Sequence, residues 1–383
     1  MLNRSLKPLQ ERLEKAQKMM ETVQSEEEFL ALGNYIGNLY VSLACLGEDI
    51  VVKPVLCFGT KTKYKKFLKD FNAYSDDMMH HFVLKKDFHS SYIEEILPTV
   101  EKEWKEICPI QLTPTESLNK KEFKEILLAF LDSIKMVDLY RELCKEKRIH
   151  SSLFPMEEDY LGFTLFNPLS KDIDIVVGSF EYSLEHMNTL VHELGHGYDL
   201  KHFEGDAKDY NKYFYLSYYG EVISRLMERL LHRFLLNNHL IINSAKNSFI
   251  DFEDLNHDFL LQGYILSLLD SDFICSQGFT KCKSEVITKM IKKHFIEESK
   301  LIEYFEDIQK SFDVSDIFTY LYGDILSLFL CGEIEKSGFN NELMEEFMRQ
   351  RTEPFQEEML QKNGFNPKGY QKLYKKEIEL IKK

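Results

Sequence analysis

Helix-breaking residues are scarce in this chain, and their scarcity limits the possible folds more than any other feature of the sequence. The 383 residues include only 17 glycines and 9 prolines. Between these residues, apolar side chains recur at the three- and four-residue spacing of amphipathic helices. The first such stretch runs from Leu9 to Leu46, with an interruption at Ser25. We therefore expect a mainly α fold that opens with a helical hairpin.

One segment departs from the helical spacing. Residues 172–177 read Asp-Ile-Asp-Ile-Val-Val, an alternating and β-branched pattern that predicts a strand. Residues 151–171, which precede it, are rich in turn-forming and aromatic residues. Gly178 and Ser179 end the strand, and the helical spacing returns from Ser183. The sequence therefore predicts a small β-sheet beside a helix that begins near Ser183.

A second break in the helical pattern marks a boundary. Residues 109–117 contain two prolines together with Thr and Ser, which indicates a loop. We place the boundary there, between an N-terminal helical region (1–115) and a region that carries the motifs described below (116–383). Residues 121–147 are predicted to form one long helix. Further helices are predicted at Leu216–Leu236, Phe252–Cys275, Lys283–Gln309, Ser315–Glu333, Asn340–Arg349 and Pro354–Lys362.

Charge and cysteine content narrow the functional class. The formal net charge is −15 and the sequence has no basic patch with interleaved aromatic residues, so no nucleic-acid partner is expected. The seven cysteines form no Cys-x-x-Cys pair, which favours reduced thiols. The sequence has no signal peptide and no run of ~20 apolar residues, so we expect a cytoplasmic protein with no membrane partner. Its oligomeric state is not readable from the sequence.

The predicted helix after the strand carries a metal-binding pattern. His192, Glu193 and His196 spell His-Glu-x-x-His, and a helical turn of about 3.6 residues places both imidazoles on one face. There they can share one zinc ion, while Glu193 takes a proton from a water molecule beside the metal. Apolar neighbours such as Leu190 and Leu194 predict a partly buried helix, in which unpaired polar groups are unfavourable.

A zinc site of this kind needs a third protein ligand, and the sequence offers two candidates. His202 lies ten residues after His192, the spacing of the metzincin pattern, but Asp199 stands where that pattern needs glycine for a turn. Glu221 opens a predicted helix, and Glu228 lies two turns later on the same face. From that position Glu228 could hydrogen-bond a ligating imidazole. The residues alone leave both candidates open.

Two segments resemble a known family. NTLVHELGHGYD and YYGEVISRLMERLL are similar to the zinc-binding helices of the thimet oligopeptidase and oligoendopeptidase F family, in which a TLxHExGH helix is followed by ExxSxxxE. Here Glu221 follows His196 by 25 positions, Ser224 matches the serine, and Glu228 matches the second acid. The resemblance implies one bound zinc ion with Glu221 as its third ligand.

The resemblance extends over about residues 160–370 and implies further features of the site. It implies that residues 172–179 form an edge strand that pairs with the substrate backbone. It also implies that Tyr320 and Tyr322, in a tyrosine-rich stretch, stabilise the oxyanion that forms during peptide hydrolysis. The family's loop histidine has no match here, since no histidine follows His294. Asp199 could orient His196 or cap the motif helix.

Together these features predict a mainly α, oligopeptidase-like fold with a small β-sheet beside the active-site helix. The expected function is that of a zinc metalloendopeptidase that hydrolyses internal bonds of short peptides. Two alternatives remain open. One is a metzincin-like peptidase with His202 as third ligand, and the other is a non-catalytic peptide-binding protein on a peptidase fold.

Overall fold

The structure, a computed structural model, describes residues 6–46, 65, 69, 89–110, 116–151, 162–178, 182–216, 219–268, 314–339, 344, 347–348 and 365–382. Within these ranges the fold is mainly helical with one three-stranded sheet, as expected from the sequence. The helices are α1 (Lys7–Thr22), α2 (Glu26–Cys45), α3 (89–107), α4 (Lys120–Ser133), α5 (Val137–Lys145), α6 (Leu184–Lys201), α7 (Ala207–Leu216), α8 (Val222–Asn237), α9 (Ile242–Leu268), α10 (Val314–Ser337) and α11 (Pro367–Lys382). The strands are β1 (Ile149–Ser151), β2 (Gly162–Asn167) and β3 (Asp172–Val177).

The predicted helical hairpin at the N-terminal end is confirmed by α1 and α2. Ser25 is the N-cap residue of α2, because its hydroxyl accepts a hydrogen bond from the backbone N–H of Glu28 at 3.0 Å. The buried face of α1, which includes Leu9 and Leu13, packs against α2 and against Leu165 and Val176 of the sheet. The hairpin therefore covers one face of the sheet.

The single long helix predicted for residues 121–147 is wrong. The structure has two helices there, because Lys135 adopts a left-handed backbone with φ 58° that a right-handed helix cannot contain. Asn119 starts α4 with a capping box completed by Glu122. Two other predicted helices begin elsewhere, since α9 begins at Ile242 rather than Phe252 and α8 begins at Val222 rather than Leu216. The predicted helices at 283–309 and 354–362 lie outside the described residues.

The sheet has the order β1-β3-β2, with β1 parallel and β2 antiparallel to β3. The strand predicted at 172–177 is confirmed as β3, but it is the central strand of the described sheet. The implied edge strand at 172–179 is therefore wrong. In the described part of the sheet β2 lies at the edge instead, within the segment rich in turn-forming residues, and its residues Gly162 and Thr164 reach the motif helix α6.

The main core surrounds α8, which packs against α6 on one side and α10 on the other. This core takes residues from α3 through α11, on both sides of the boundary suggested at residue 115, which stays a prediction. Residues Ile317–Ser337 of α10 are long and apolar enough to cross a membrane by length and composition, which the sequence analysis did not anticipate. In the structure, 78% of the apolar window in this helix is buried inside the protein, as in a core helix.

A buried ionic network ties the same helices together. Arg229 of α8 is fully buried and donates to Glu253 of α9 at 2.9 Å and to Asp324 of α10. Arg233 of α8 donates to Glu377 of α11. The cluster thus holds two guanidinium groups against three carboxylates, and all but Arg233 and Asp324 are fully buried. Burial, together with the carboxylates of Asp324 and Glu377, raises the pKa of Glu253 to about 7.

Candidate metal centre

His192, His196 and Glu221 meet in the structure as a compact set of ligand atoms. The two imidazole Nε2 atoms are 3.1 Å apart, and Glu221 Oε2 lies 3.3 Å from Nε2 of His192 and 3.4 Å from Nε2 of His196. Tetrahedral zinc with ligand distances of about 2.0–2.1 Å holds neighbouring ligand atoms about 3.3 Å apart. The three atoms therefore form a triangle of the size that one zinc ion requires.

Two glycines allow the helices that carry these residues to approach so closely. A Cβ atom at Gly195 of α6 would lie 2.7 Å from the Cα of Ser224 on α8, closer than packed carbon atoms come. A Cβ atom at Gly323 of α10 would lie 2.7 Å from the Cβ of Glu221. The glycine between the two histidines is therefore needed for the helix contact that brings Glu221 to the imidazoles.

A second carboxylate fixes the orientation of His192. Its Nδ1 donates to Glu228 Oε2 at 3.0 Å, which orients the ring so that Nε2 faces the other two candidate ligand atoms. Arg225 donates to the same oxygen at 2.9 Å, and its guanidinium lies 3.9 Å from the centre of the Phe252 ring. Glu228 thus lies beside the imidazole of His192, and its role in supporting a metal ligand stays a prediction.

Electrostatics in the site favour an ionised Glu221. Burial would raise the pKa of Glu221, but the imidazoles of His196 and His192 outweigh burial and hold it well below its ordinary value. Burial would likewise lower the pKa of His192, but Glu228 and Glu221 raise it well above its ordinary value. The hydroxyl of Ser224 donates to Glu221 Oε2 at 2.7 Å and holds the carboxylate in place. The carboxylates of Glu221 and Glu228 therefore favour positive charge at the two imidazoles, which a bound cation would supply.

Glu193 lies beside the three ligands and is oriented from the sheet. It is 6% exposed, and Thr164 of β2 donates to its Oε2 at 2.7 Å and to its backbone carbonyl at 2.9 Å. A Cβ atom at Gly162 would lie 2.8 Å from Glu193 Cγ, so a larger residue there would displace the carboxylate. The edge strand β2 therefore positions the predicted general base.

The two tyrosines predicted to stabilise an oxyanion have different environments. Tyr320 lines the cleft with His192 and Glu193, and the carboxylate of Glu221, followed by burial, raises its pKa well above the ordinary value. Tyr322 is fully buried and its hydroxyl contacts Nδ1 of His89 in the core. Residues two apart lie about 200° apart around a helix, so these two cannot share one face. The structure brings Tyr320, but not Tyr322, into the cleft.

The remaining predicted residues lie farther along α6. His202 is at the C-terminal end of the helix, where Nδ1 is 2.8 Å from the carbonyl of Tyr198, and it is not part of the ligand set found in the described residues. Asp199 is 2% exposed and accepts a hydrogen bond from Tyr213 of α7 at 2.6 Å. This bond ties α6 to α7, and the predicted role of Asp199 in orienting His196 stays a prediction.

An open cleft of about 1280 Å³ leads to the candidate metal centre. The first half of α6 forms one wall and α9 forms the opposite wall, while α8 contributes Arg225, Glu228 and His232 between them. His192, Glu193 and Tyr320 lie along this cleft. A ligand that occupies the cleft therefore has access to the candidate metal centre.

Sequence analysis missed several residues that support the site. Thr164 lies in a segment that was noted only for its turn-forming and aromatic residues. Arg225 occupies an ordinary charged position in a predicted helix. Gly323 carries no pattern of its own. Each acts through a contact between elements that are distant in the chain, which helical periodicity does not report.

Comparisons with known proteins add little to this description. No protein-family model matches the chain, and no curated protein sequence matches it significantly. A solved structure described as a "putative peptidase from Chlamydophila abortus" is similar with a TM-score of 0.47 and 12% identity, over 97% of this chain and 63% of that chain. The present chain thus spans less than two thirds of that protein. The function proposed below is drawn from the geometry of the site.

Proposed function

We propose that the protein is a zinc-dependent metalloendopeptidase that hydrolyses internal bonds of short peptides. The observation that carries this proposal is the triangle of ligand atoms from His192, His196 and Glu221, with sides of 3.1, 3.3 and 3.4 Å, beside the carboxylate of Glu193. Two imidazoles and one carboxylate form the ligand set of many catalytic zinc sites, which leave the fourth position to water or substrate.

The residues present fit a bound zinc ion in chemistry as well as in spacing. Glu221 is held ionised, the bond from Nδ1 of His192 to Glu228 turns Nε2 toward the other two candidate ligand atoms, and all three residues are at least partly buried. When bound, zinc supplies Lewis acidity, which polarises a carbonyl group and lowers the pKa of a water molecule. The single predicted cofactor is therefore one divalent ion at this site.

The protein residues then supply proton transfer and charge stabilisation. Glu193, oriented by Thr164, takes a proton from the attacking water and passes it to the leaving amine. Glu228 holds the imidazole of His192 in place during the reaction. Tyr320 lines the cleft with a hydroxyl that its neighbouring carboxylates keep protonated, so it can donate a hydrogen bond to the developing oxyanion.

The cleft suits a peptide better than a compact small molecule. Its volume of about 1280 Å³ exceeds the range of about 300–1,000 Å³ typical of small-molecule pockets. It runs between two helices and is open, so an extended chain can lie along it with its scissile bond at the metal centre. Short peptides are therefore the proposed substrates.

The two alternatives are less well supported by the geometry. A metzincin-like site would need His202 near the other histidines, yet its Nδ1 contacts the backbone of its own helix. A non-catalytic peptide-binding protein has no use for a general base, yet Glu193 is held in place by Thr164 and by the space beside Gly162. The proposal therefore retains Glu221 as ligand and Glu193 as base.

A peptide library tests the proposal directly. Wild type, Glu193→Gln and the distant surface variant Glu14→Gln are incubated with a mixed library of short quenched-fluorescent peptides, and zinc is quantified in each preparation. We expect one zinc ion in all three proteins and cleavage by wild type and Glu14→Gln only. Zinc without cleavage in all three would favour the peptide-binding alternative, and the absence of zinc from all three would refute the metal site.

A further inference from the structure

The α9 wall of the cleft changes character along its length. The lining residues Ser244, Ser248, Asp251, Leu255 and Phe259 follow one another at intervals of three or four and so form one face of the helix. The face is polar at its N-terminal end and apolar toward the metal centre. Because all of it borders the same cleft, a bound chain would meet both kinds of surface.

The apolar end lies next to the site of catalysis. The ring of Phe259 stacks on Tyr320, with centroids 4.8 Å apart and planes within 5°. Leu255, one turn earlier, is 45% exposed, and only one other large apolar side chain in the described residues, Val41, is exposed. Core packing does not account for an exposed leucine on the wall of a cleft. A bound apolar side chain would cover it.

The polar end carries negative charge. Asp251 of α9 and Glu185 of α6 face the cleft, and neither has a cationic partner among the described residues. Glu185 lies in the first turn of α6, where the helix terminus offsets part of its charge, whereas Asp251 lies in the interior of α9. Partial burial, followed by the carboxylates of Asp254 and Glu185, raises the pKa of Asp251. A cation would relieve this repulsion.

Positive charge is scarce in the rest of the cleft. Among the described lining residues only Arg225 carries a lysine or arginine charge, and it is 3% exposed and bound to Glu228. Glu116 also lines the cleft, but its carboxylate accepts hydrogen bonds from the backbone N–H groups of Asn243 and Ser244. Asp251 and Glu185 are therefore the carboxylates available to a ligand.

The helix spacing sets the distance between the two surfaces. Phe259 lies eight positions after Asp251, so the two residues are about 12 Å apart along the helix axis at about 1.5 Å per residue. An extended peptide advances about 3.3 Å per residue, and a lysine or arginine side chain adds several ångströms of reach. A basic residue about two to four positions from an apolar one would therefore meet both surfaces at once.

We propose that the cleft selects peptides with a bulky apolar side chain next to the scissile bond and a lysine or arginine about two to four residues away. This inference rests on the proposed function and adds a substrate class to it. Leu255 and Phe259 would contact the apolar side chain, and Asp251, assisted by Glu185, would contact the basic one.

Four matched peptides test this selectivity. They place leucine or serine at one position and arginine or glutamate three residues away, and are otherwise identical. Binding to zinc-loaded Glu193→Gln protein is measured by fluorescence anisotropy, and cleavage is measured with active protein. Asp251→Lys and Leu255→Ser are introduced into both backgrounds, with Glu14→Lys and Val41→Ser as exposed controls outside the cleft.

We expect the leucine–arginine peptide to bind most tightly. Asp251→Lys should lower the arginine-to-glutamate preference by about fivefold or reverse it, and Leu255→Ser should lower the leucine preference by about tenfold. Both controls should behave as their parents. Equal binding of the four peptides, or preferences that Asp251→Lys and Leu255→Ser leave unchanged, would overturn the inference even if cleavage occurs. Selective binding without cleavage by wild type would instead refute the proposed function and leave the selectivity in place.

Discussion

Gly195 gives the sharpest test of how the metal centre is assembled. Substitution by alanine adds a Cβ atom 2.7 Å from the Cα of Ser224 and 3.0 Å from the carbonyl oxygen of Ile223. Both are backbone atoms of α8 and cannot rotate away. Gly197, two residues later on the same helix, is a matched control, since its Cβ atom would meet only the side chains of Ile175 and Ile173 at 3.6 and 3.7 Å.

The expected effect follows from these distances. Carbon atoms pack at about 3.5–4.0 Å, so Gly195→Ala must move α8 from α6 by about 1 Å. Overpacking of this kind destabilises a protein by about 1–3 kcal/mol, while alanine in place of glycine in a helix stabilises it by about 1 kcal/mol. Gly195→Ala should therefore lower the free energy of unfolding by about 0–2 kcal/mol, and Gly197→Ala should raise it or leave it unchanged.

Metal binding should respond more strongly than stability. Glu221 is carried by α8, and a shift of about 1 Å would lengthen its distances of 3.3 and 3.4 Å to the two imidazoles beyond the reach of one zinc ion. We expect zinc affinity, measured by competition with a chelator, to fall at least about tenfold in Gly195→Ala and to stay unchanged in Gly197→Ala. Equal zinc affinity in the two variants, with both folded, would refute the close-approach argument.

Three further predictions concern the third candidate ligand, the two tyrosines of α10 and the buried ionic network. Glu221→Ala should abolish tight zinc binding while His202→Ala retains it, as measured by metal content after dialysis, and the opposite result would restore the metzincin-like alternative. Tyr320→Phe should lower kcat by about 10²-fold with a small change in KM. Tyr322→Phe should mainly lower Tm, because the hydroxyl of Tyr322 bonds to buried His89. Equal kcat values for Tyr320→Phe and wild type would remove Tyr320 from the mechanism. Because the pKa of Glu253 is raised to about 7, the folded state holds its proton more tightly than the unfolded state, so this residue contributes stability at low pH that is lost as pH rises from about 4.5 through 7. Glu253→Gln should remove that loss. Between pH 5 and 8 its free energy of unfolding, measured with urea, should rise relative to that of wild type by up to about 3 kcal/mol. A difference between the two proteins that does not depend on pH would contradict the assignment.

Local spacing made part of this architecture predictable. The two histidines are four residues apart, so helix geometry alone puts them on one face. Glu221 and Glu228 are two turns apart, and the structure places both beside His192. The start of α2 at Ser25 is equally local, because a serine side chain can cap only the helix that follows it.

The incorrect predictions depended on contacts between distant segments. The central position of β3 follows from β1, a three-residue strand that pairs with it across a gap of more than twenty residues. Thr164 contacts Glu193 only because β2 forms the adjacent edge. The break at Lys135 depends on a left-handed backbone conformation, which a lysine residue does not predict. Pattern and composition carry no information on such pairings.

The buried network around Arg229 also has a consequence for biosynthesis. Glu377 on α11 is translated 148 residues after Arg229, whose helix directly follows the ligand Glu221. Until Glu377 leaves the ribosome, Arg233 has only the half-buried Glu335 at 2.9 Å as a partner, and the loss of one carboxylate from a buried ionic network destabilises the packing around α8. The nascent chain would therefore complete the candidate metal centre only after translation of α11. An incompletely synthesised chain would carry the His-Glu-x-x-His helix without the packed α8 that positions Glu221.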